Sequence, residues 1–229
     1  MRVMILAAGR GERMRPLTDT IPKALLPAGG KPLLVWHLER LAEAGFSEIV
    51  INLAHLGGQI REAIGDGSRF GLAIAYSEEA PEALETAGGI ARALPLLGAE
   101  PFLVINADAF CDWPFASAPL INMTAKLAHL VLVNNPSHNP KGDFALDSSG
   151  RIVNTPGERL TYAGIGVYSP ELFCHLDPNT PARLAPLLHE AVARGLVDGE
   201  KHEGLWVDVG TPERLYDLDR MLMNHAQHS

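Results

Sequence analysis

The 229-residue chain contains only two cysteines, Cys111 and Cys174. They lie far apart and match no metal-ligand spacing, which excludes a disulfide scaffold; they read as free thiols of a reducing compartment. No stretch approaches the ~20 apolar residues of a membrane span, and the apolar run after Met1 is shorter than a secretory signal requires. A cytoplasmic location without a membrane partner is expected. No internal repeat, low-complexity tract or long linker interrupts the sequence, so residues 1–229 are expected to form a single domain with 224–229 as a frayed tail. There is no block of like charges: 19 Lys and Arg against 27 Asp and Glu give a formal net charge of −8. An acidic chain repels polyanions on average, which argues against nucleic acid and leaves room for a small anionic ligand in a locally basic pocket. No protein partner is implied. With 47% hydrophobic and 20% charged residues, collagen, disorder and coiled coil are also excluded.

What is present is an alternation. Residues 3–7 form a short apolar run of strand formers, followed by a segment in which Gly9, Gly11, Pro16, Pro22 and Pro27 exclude regular structure. Residues 33–44 have helical periodicity, stop at Gly45 and lead into a β-branched strand at 48–52. The unit repeats through a helix near 57–64 and a strand at 72–76, then a helix near 88–97 and a strand at 102–106. Near-continuous apolar strands alternating with helices predict a parallel sheet covered on both faces. After Asp108 the rhythm changes, and 129–133, 143–146, 151–153 and 161–168 read as strands joined by turns, which makes the sheet mixed. Helices near 182–193 and 212–224 flank a strand ending Leu205-Trp206-Val207-Asp208-Val209.

The most informative segment is Ala7-Ala8-Gly9-Arg10-Gly11-Glu12-Arg13-Met14-Arg15-Pro16-Leu17-Thr18, with Pro22-Lys23-Ala24-Leu25-Leu26-Pro27 close behind. Glycines after a strand let backbone N–H groups approach a phosphate, and Arg10, Arg13, Arg15 and Lys23 supply charge-assisted donors. Two familiar phosphate loops fail on spacing, because the third glycine of a dinucleotide fingerprint and the Gly-Lys-Ser/Thr of a Walker A loop are both missing. Asp108 follows the strand at 102–106 and Asp208 closes the strand holding Trp206 and Val207. Strand ends of this kind are where open α/β sheets bind ligands. Such a pair can share a hard cation that keeps water or phosphate oxygens in its shell, as Mg²⁺ prefers. Leu84-Glu85-Thr86-Ala87-Gly88-Gly89 starts a helix on small residues, so a flat base can approach its backbone. His37 and His189 lie on predicted helices without a partner at metal spacing, and read as packed or solvated groups.

Residues 7–27 resemble, almost residue for residue, the N-terminal signature of the sugar-1-phosphate nucleotidyltransferases. The resemblance spans nearly the whole chain and implies an α/β, Rossmann-like three-layer α/β/α fold with a mixed, mostly parallel sheet. It implies two small-molecule substrates, a nucleoside triphosphate and a sugar 1-phosphate, joined with release of pyrophosphate. The sugar phosphate is already an anion, so no general base is required, in keeping with the absence of a Ser-His-Asp or Cys-His constellation. By the same similarity Arg15, Lys23, Asp108 and Asp208 are catalytic, and Asp108 and Asp208 hold Mg²⁺. Ala8, Gly9, Gly11, Glu12, Arg13 and Lys23 bind the triphosphate, Thr86 and Gly88 meet the base, and Asn106 contacts the sugar. Glu85 stands where many relatives have glycine.

Gly142-Asp143-Phe144, Asn106, the Leu-Glu-Thr-x-Gly-Gly loop and Trp206-Val207-Asp208-Val209-Gly210-Thr211 look like a narrower subgroup, the N-acetylmuramate 1-phosphate uridylyltransferases of peptidoglycan recycling. That similarity implies UTP as donor, Asp143, Tyr162 and Gly164 at the sugar cleft, and Lys141 or His138 facing a lactyl carboxylate. A carboxylate such as Asp143 suits sugar hydroxyls or an amide N–H. Where many hexose 1-phosphate relatives carry a Glu-Lys-Pro-like element, this chain reads Pro156-Gly157-Glu158-Arg159, leaving Arg159 as a weak substitute for phosphate contact. Open alternatives are a mannose-1-phosphate guanylyltransferase, a glucose-1-phosphate thymidylyl- or uridylyltransferase, and a catalytically inactive nucleotide-binding subunit. The joint presence of Arg15, Lys23, Asp108 and Asp208 argues against the last.

Overall fold

The apolar runs become strands buried on both faces. The computed structural model describes residues 1–79, 83–153 and 159–226. Its first half runs β1 (Val3–Leu6), β2 (Pro27–Ala28), β3 (Lys31–Pro32), α1 (Leu33–Glu43), β4 (Glu48–Leu53), α2 (Gly57–Ile64), β5 (Ala73–Glu78), α3 (Glu85–Leu97) and β6 (Phe102–Asn106). The second half runs β7 (Ala109–Cys111), β8 (Ala128–Val133), β9 (Phe144–Leu146), β10 (Ile152–Val153), β11 (Arg159–Tyr168), α4 (Leu184–Ala193), β12 (Val197–Lys201), β13 (Trp206–Asp208) and α5 (Pro212–Ala226).

β6, β1, β4 and β5 are parallel neighbours in a nine-stranded sheet, with Val3 opposite Ile49 and Leu103. This is the part built by helical crossovers, which parallel pairing requires. β11 then lies antiparallel to β6, β8 and β9, while β12 runs parallel to β8. Side chains alternate between faces with the period of a strand. Val3, Ile5, Ile49, Ile51, Leu103 and Ile105 pack with Leu34 and Leu38 of α1 and Ile60 of α2. Met4, Val50, Phe102 and Val104 pack with Ile90 and Leu97 of α3 and Leu188 of α4. The result is the expected three-layer α/β/α arrangement around a mixed sheet.

Where the elements depart from the periodicity, long-range contacts are the reason. β12 hides from pattern reading because Val197-Asp198-Gly199-Glu200-Lys201 buries only Val197 and Gly199; pairing with β8 makes it a strand. α3 starts at Glu85 rather than near 88, since the Ala182 carbonyl accepts the N–H groups of Ala87 (2.9 Å) and Gly88 (3.1 Å). α5 continues to Ala226, so the helix reaches into the tail expected to fray, and 227–229 lie outside the described residues. A small separate core of Met14, Leu26, Ala28, Leu33, Phe110, Val209, Leu215 and Leu218 ties the glycine-arginine loop to the β7–β13 ribbon and α5. Met14 is fully buried in it. Truncating such a side chain costs about 2–5 kcal/mol, so this core fixes the loop against the ribbon that carries Asp208.

Candidate active site

The carboxyl ends of β1, β4, β5 and β6 and the start of α3 enclose a cavity of about 350 Å³ whose wall includes Ala8, Gly9, Lys23, Thr86, Asn106 and Asp108. Two further wall residues, Asn52 and Glu79, escape sequence reading. Asn52 Oδ1 accepts the Ala7 N–H at 2.7 Å and its Nδ2 donates to Glu79 Oε1 at 2.6 Å; Glu79 Oε2 accepts the Leu84 N–H at 2.7 Å. Each is 3% exposed. A Cβ on Gly89 would overlap Glu79 Oε1, so that glycine makes room for the carboxylate. The available signal was a polar Asn inside the run Ile49-Val50-Ile51-Asn52-Leu53, because a buried polar group demands a partner.

In the loop, Gly11 has φ 66°, and its carbonyl accepts the Met14 N–H at 2.9 Å and the Thr18 hydroxyl at 2.8 Å. A Cβ there would stand 2.9 Å from Thr18 Cγ2, so both conformation and space call for glycine. Glu12 and Arg13 follow in a single 3₁₀ turn, with Arg13 reaching toward Gly210 on the far side of the ribbon. Lys23 Nζ donates to Asp108 Oδ2 inside the cavity. Arg15 is not brought into the wall: its Nε bonds Asp19 Oδ1 at 2.6 Å in an exposed i,i+4 pair.

The backbones at Asp108 and Asp208 do come together. Asp208 is paired with Ala109 across the β7–β13 ribbon, and the Val209 N–H donates to the Asp108 carbonyl at 2.9 Å. Arg214 Nη1 donates to Asp208 Oδ2 at 2.7 Å, with His138 Nε2 3.1 Å from the same oxygen. Each carboxylate is thus balanced by a cationic side chain, Lys23 on one and Arg214 on the other. Carboxylates at neighbouring backbone positions are the kind of hard oxygen donor that a divalent cation takes. Behind them, the buried His37 ring hydrogen-bonds the Ala107 backbone; burial and then the nearby Arg40 charge pull its pKa from 6.5 to about 4, so it is neutral at pH 7.

A second cavity of about 490 Å³ shares Glu85, Thr86 and Asn106 with the first and is walled by Asp143, Tyr162, Arg159 and the first turn of α4. Asp143 Oδ2 accepts the Tyr162 N–H at 2.8 Å and Oδ1 accepts Asn139 Nδ2 at 3.1 Å. The Tyr162 hydroxyl is spent on Tyr168 (2.8 Å), and burial drives its pKa far up, so this residue serves the wall through its backbone and ring. Arg159 Nη2 donates to the Asp143 carbonyl, which ties down the guanidinium expected at a phosphate; Pro156, Gly157 and Glu158 lie outside the described residues.

Two glycines require a different explanation from the expected one. Gly88 is not in either wall: its N–H goes to Ala182, and a Cβ would stand 2.8 Å from the Thr180 carbonyl, so it packs α3 against that loop. Gly164 has φ +75° within the register break of β11, and a Cβ would stand 2.6 Å from Asn106 Nδ2; it gives room to Asn106 instead of lining the cleft. Glu85 has φ 59°, a left-handed conformation that favours glycine. His138 is committed to Asp208 and Arg214 and is absent from the wall of the second cavity.

The chain matches the Nucleotidyl transferase family model over residues 2–225. It is 56% identical over 228 residues to the N-acetylmuramate alpha-1-phosphate uridylyltransferase of Neisseria meningitidis serogroup B, covering 96% of this chain and 98% of that one. Identity to the protein of the same name from Caulobacter vibrioides is 35% over 223 residues, 92% of each chain. Among solved structures, a Bacillus anthracis protein described as a glucose-1-phosphate thymidylyltransferase, in complex with sucrose, superposes with a TM-score of 0.86 at 21% identity, covering 98% of this chain and 96% of that one. That likeness shows a shared fold. The signature loop over the sheet edge, the paired aspartates beside it and a family match running almost from end to end agree: the chain belongs to the nucleotidyl transferase family.

Proposed function

We propose that the protein transfers a uridylyl group from UTP to N-acetylmuramate 1-phosphate, releasing pyrophosphate. The observation that carries this reading is the 56% identity, over nearly the full length of both chains, to the Neisseria meningitidis uridylyltransferase. Two cavities joined at Glu85, Thr86 and Asn106 support it, because the reaction needs adjoining seats for a nucleotide and a sugar. The UDP-sugar would serve peptidoglycan recycling in the cytoplasm; no helix among the described residues is long and apolar enough to cross a membrane.

A sugar-phosphate oxygen forms a bond to the α-phosphorus as the bond from that phosphorus to the pyrophosphate oxygen breaks. The nucleophile is an anion at neutral pH, so the chain's work is positioning and charge neutralisation. Ala8, Gly9 and Gly11 offer backbone at the triphosphate, with Glu12 and Arg13 shaping the turn. Lys23 holds positive charge inside the first cavity beside Asp108. Arg15 joins by leaving Asp19, and an exposed pair of that kind costs at most about 1 kcal/mol to break. Thr86 meets the base, while Asn106 and Asp143 receive the sugar. Asp108 and Asp208 would hold Mg²⁺, which when bound polarises phosphoryl oxygens and neutralises their charge.

Pyrophosphate release should be measured with Mg²⁺ over a grid of UTP, GTP and dTTP against N-acetylmuramate 1-phosphate, mannose 1-phosphate and glucose 1-phosphate. UTP with N-acetylmuramate 1-phosphate should lead by about tenfold or more. A lead for GTP with mannose 1-phosphate would replace the reading, and silence across the grid would mark an inactive nucleotide-binding subunit.

A further inference from the structure

The wall of the second cavity carries two guanidinium groups. Arg159, Arg183 and His189 stand on its wall beside Asp143 and Glu85. Two of these cationic or titratable groups have other engagements: Arg159 donates to the Asp143 carbonyl, and the His189 ring lies against Phe144 with centroids 5.5 Å apart. Arg183 differs. Its side chain is 79% exposed, and its ion-pair contact, Nε to Glu85 Oε1, is 3.7 Å, longer than a hydrogen bond. It also immediately precedes α4, whose Leu184 and Ala185 continue the same wall and whose start has no side-chain cap among the described residues. The partial positive charge of that helix end adds to the guanidinium. The Asp143 carboxylate is oriented by Tyr162 and Asn139, so Arg183 has no claim from it.

The cations that the sequence suggested for an acidic substituent are placed elsewhere. His138 sits on Asp208 with Arg214, and Lys141 is absent from the described wall.

We infer that the second cavity contains a carboxylate subsite anchored by Arg183, so that the preferred ligand is a sugar 1-phosphate bearing a carboxylate. A guanidinium presents two parallel N–H donors that match the two oxygens of a carboxylate, a contact that a neutral hexose cannot make. The volume of about 490 Å³ lies within the range of small-ligand sites. The inference rests on the uridylyl transfer proposed above and names the residue that reads the lactyl carboxylate. N-acetylglucosamine 1-phosphate, the same sugar without the lactyl ether, is the matched control.

The test is steady-state kinetics with UTP and both sugar phosphates on the wild-type protein, Arg183→Gln and Arg183→Lys. The wild type should favour the carboxylated sugar in kcat/KM. Arg183→Gln should collapse that preference by about 10- to 100-fold, the usual consequence of losing a charged hydrogen bond, with the loss carried by KM; Arg183→Lys, which keeps the charge but not the fork, should fall between. A preference left intact in Arg183→Gln, or a loss equal for both sugars, overturns the subsite. Equal use of the two sugars by the wild type overturns it too, while leaving uridylyl transfer standing. A wild type that turns over neither sugar with UTP refutes the proposed function itself.

Discussion

The two cavities share three wall residues yet are held by different means. Around the first, the polar groups are buried and tied to backbone: Asn52 and Glu79, each 3% exposed, hold the Ala7 and Leu84 amides in place. Around the second, Arg183 is 79% exposed with one long contact, and Asp143 is held from an irregular loop and the end of β11. A buried, fully partnered network preorganises a site because misplacing any member strands a polar group. Exposed groups on a loop and a helix start can be exchanged at small cost. The parallel half of the sheet therefore holds a preorganised cavity, which we propose for the nucleotide, and the antiparallel half a more adaptable one, which we propose for the sugar.

The contrast can be broken hardest at the first cavity. Asp108→Asn should lower kcat by about 10²- to 10³-fold with the fold intact by circular dichroism; near-normal turnover in Mg²⁺ would remove Asp108 from the chemistry. Next comes His37, which backs the same strand end. Its pKa is 6.5 when unfolded and about 4 when folded, so between those values the unfolded chain binds the extra proton. The stability linked to this ring is complete above pH 6.5, declines as pH falls toward 4, and amounts to about 3 kcal/mol. Urea unfolding at pH 7.5 and 5.0 reads about 2 kcal/mol of it, and His37→Gln should flatten the difference; an unchanged slope would place the titration elsewhere.

Smaller effects sharpen the division between the cavities. Asn52→Ala leaves Glu79 Oε1 without its donor and the Ala7 N–H without its acceptor, a loss of about 1–3 kcal/mol. It should raise KM for the nucleotide more than for the sugar; equal rises would dissolve the distinction between the two seats. Asp143→Ala should raise KM for the sugar phosphate by about tenfold and leave the nucleotide KM alone, and kinetics indistinguishable from wild type would take Asp143 out of the sugar site.

Much of the candidate site was legible because its signals are local. A glycine-arginine loop after a strand can be recognised from neighbouring residues, and so can an aspartate at the end of an apolar run. Gly88 stood out for the right reason, small size, and Gly164 only through the resemblance; what needs the space is the Thr180 carbonyl for one and the Asn106 side chain for the other. Asn52, Glu79 and Arg183 were missed because each acts through a partner far away in the chain, and Arg214 because its partner Asp208, 6 residues back, is joined by His138 from 76 residues away. Nothing beside Arg214 in the sequence announces Asp208 and His138 together.

From the sequence alone followed the α/β class, the change from parallel to antiparallel pairing after Asp108, and the loop and aspartates to which we assign the phosphate chemistry. Strand and helix periods, glycine conformations and the charge of a loop are properties of adjacent residues, so they survive without the fold. Only the tertiary structure decided that the backbone of Asp108 lies beside that of Asp208, that Lys23 and Arg214 pair with their carboxylates, that His138 joins Asp208, and that Arg183 stands on the wall of the second cavity. Those outcomes depend on which apolar faces bury against each other, and that free energy belongs to contacts between distant segments.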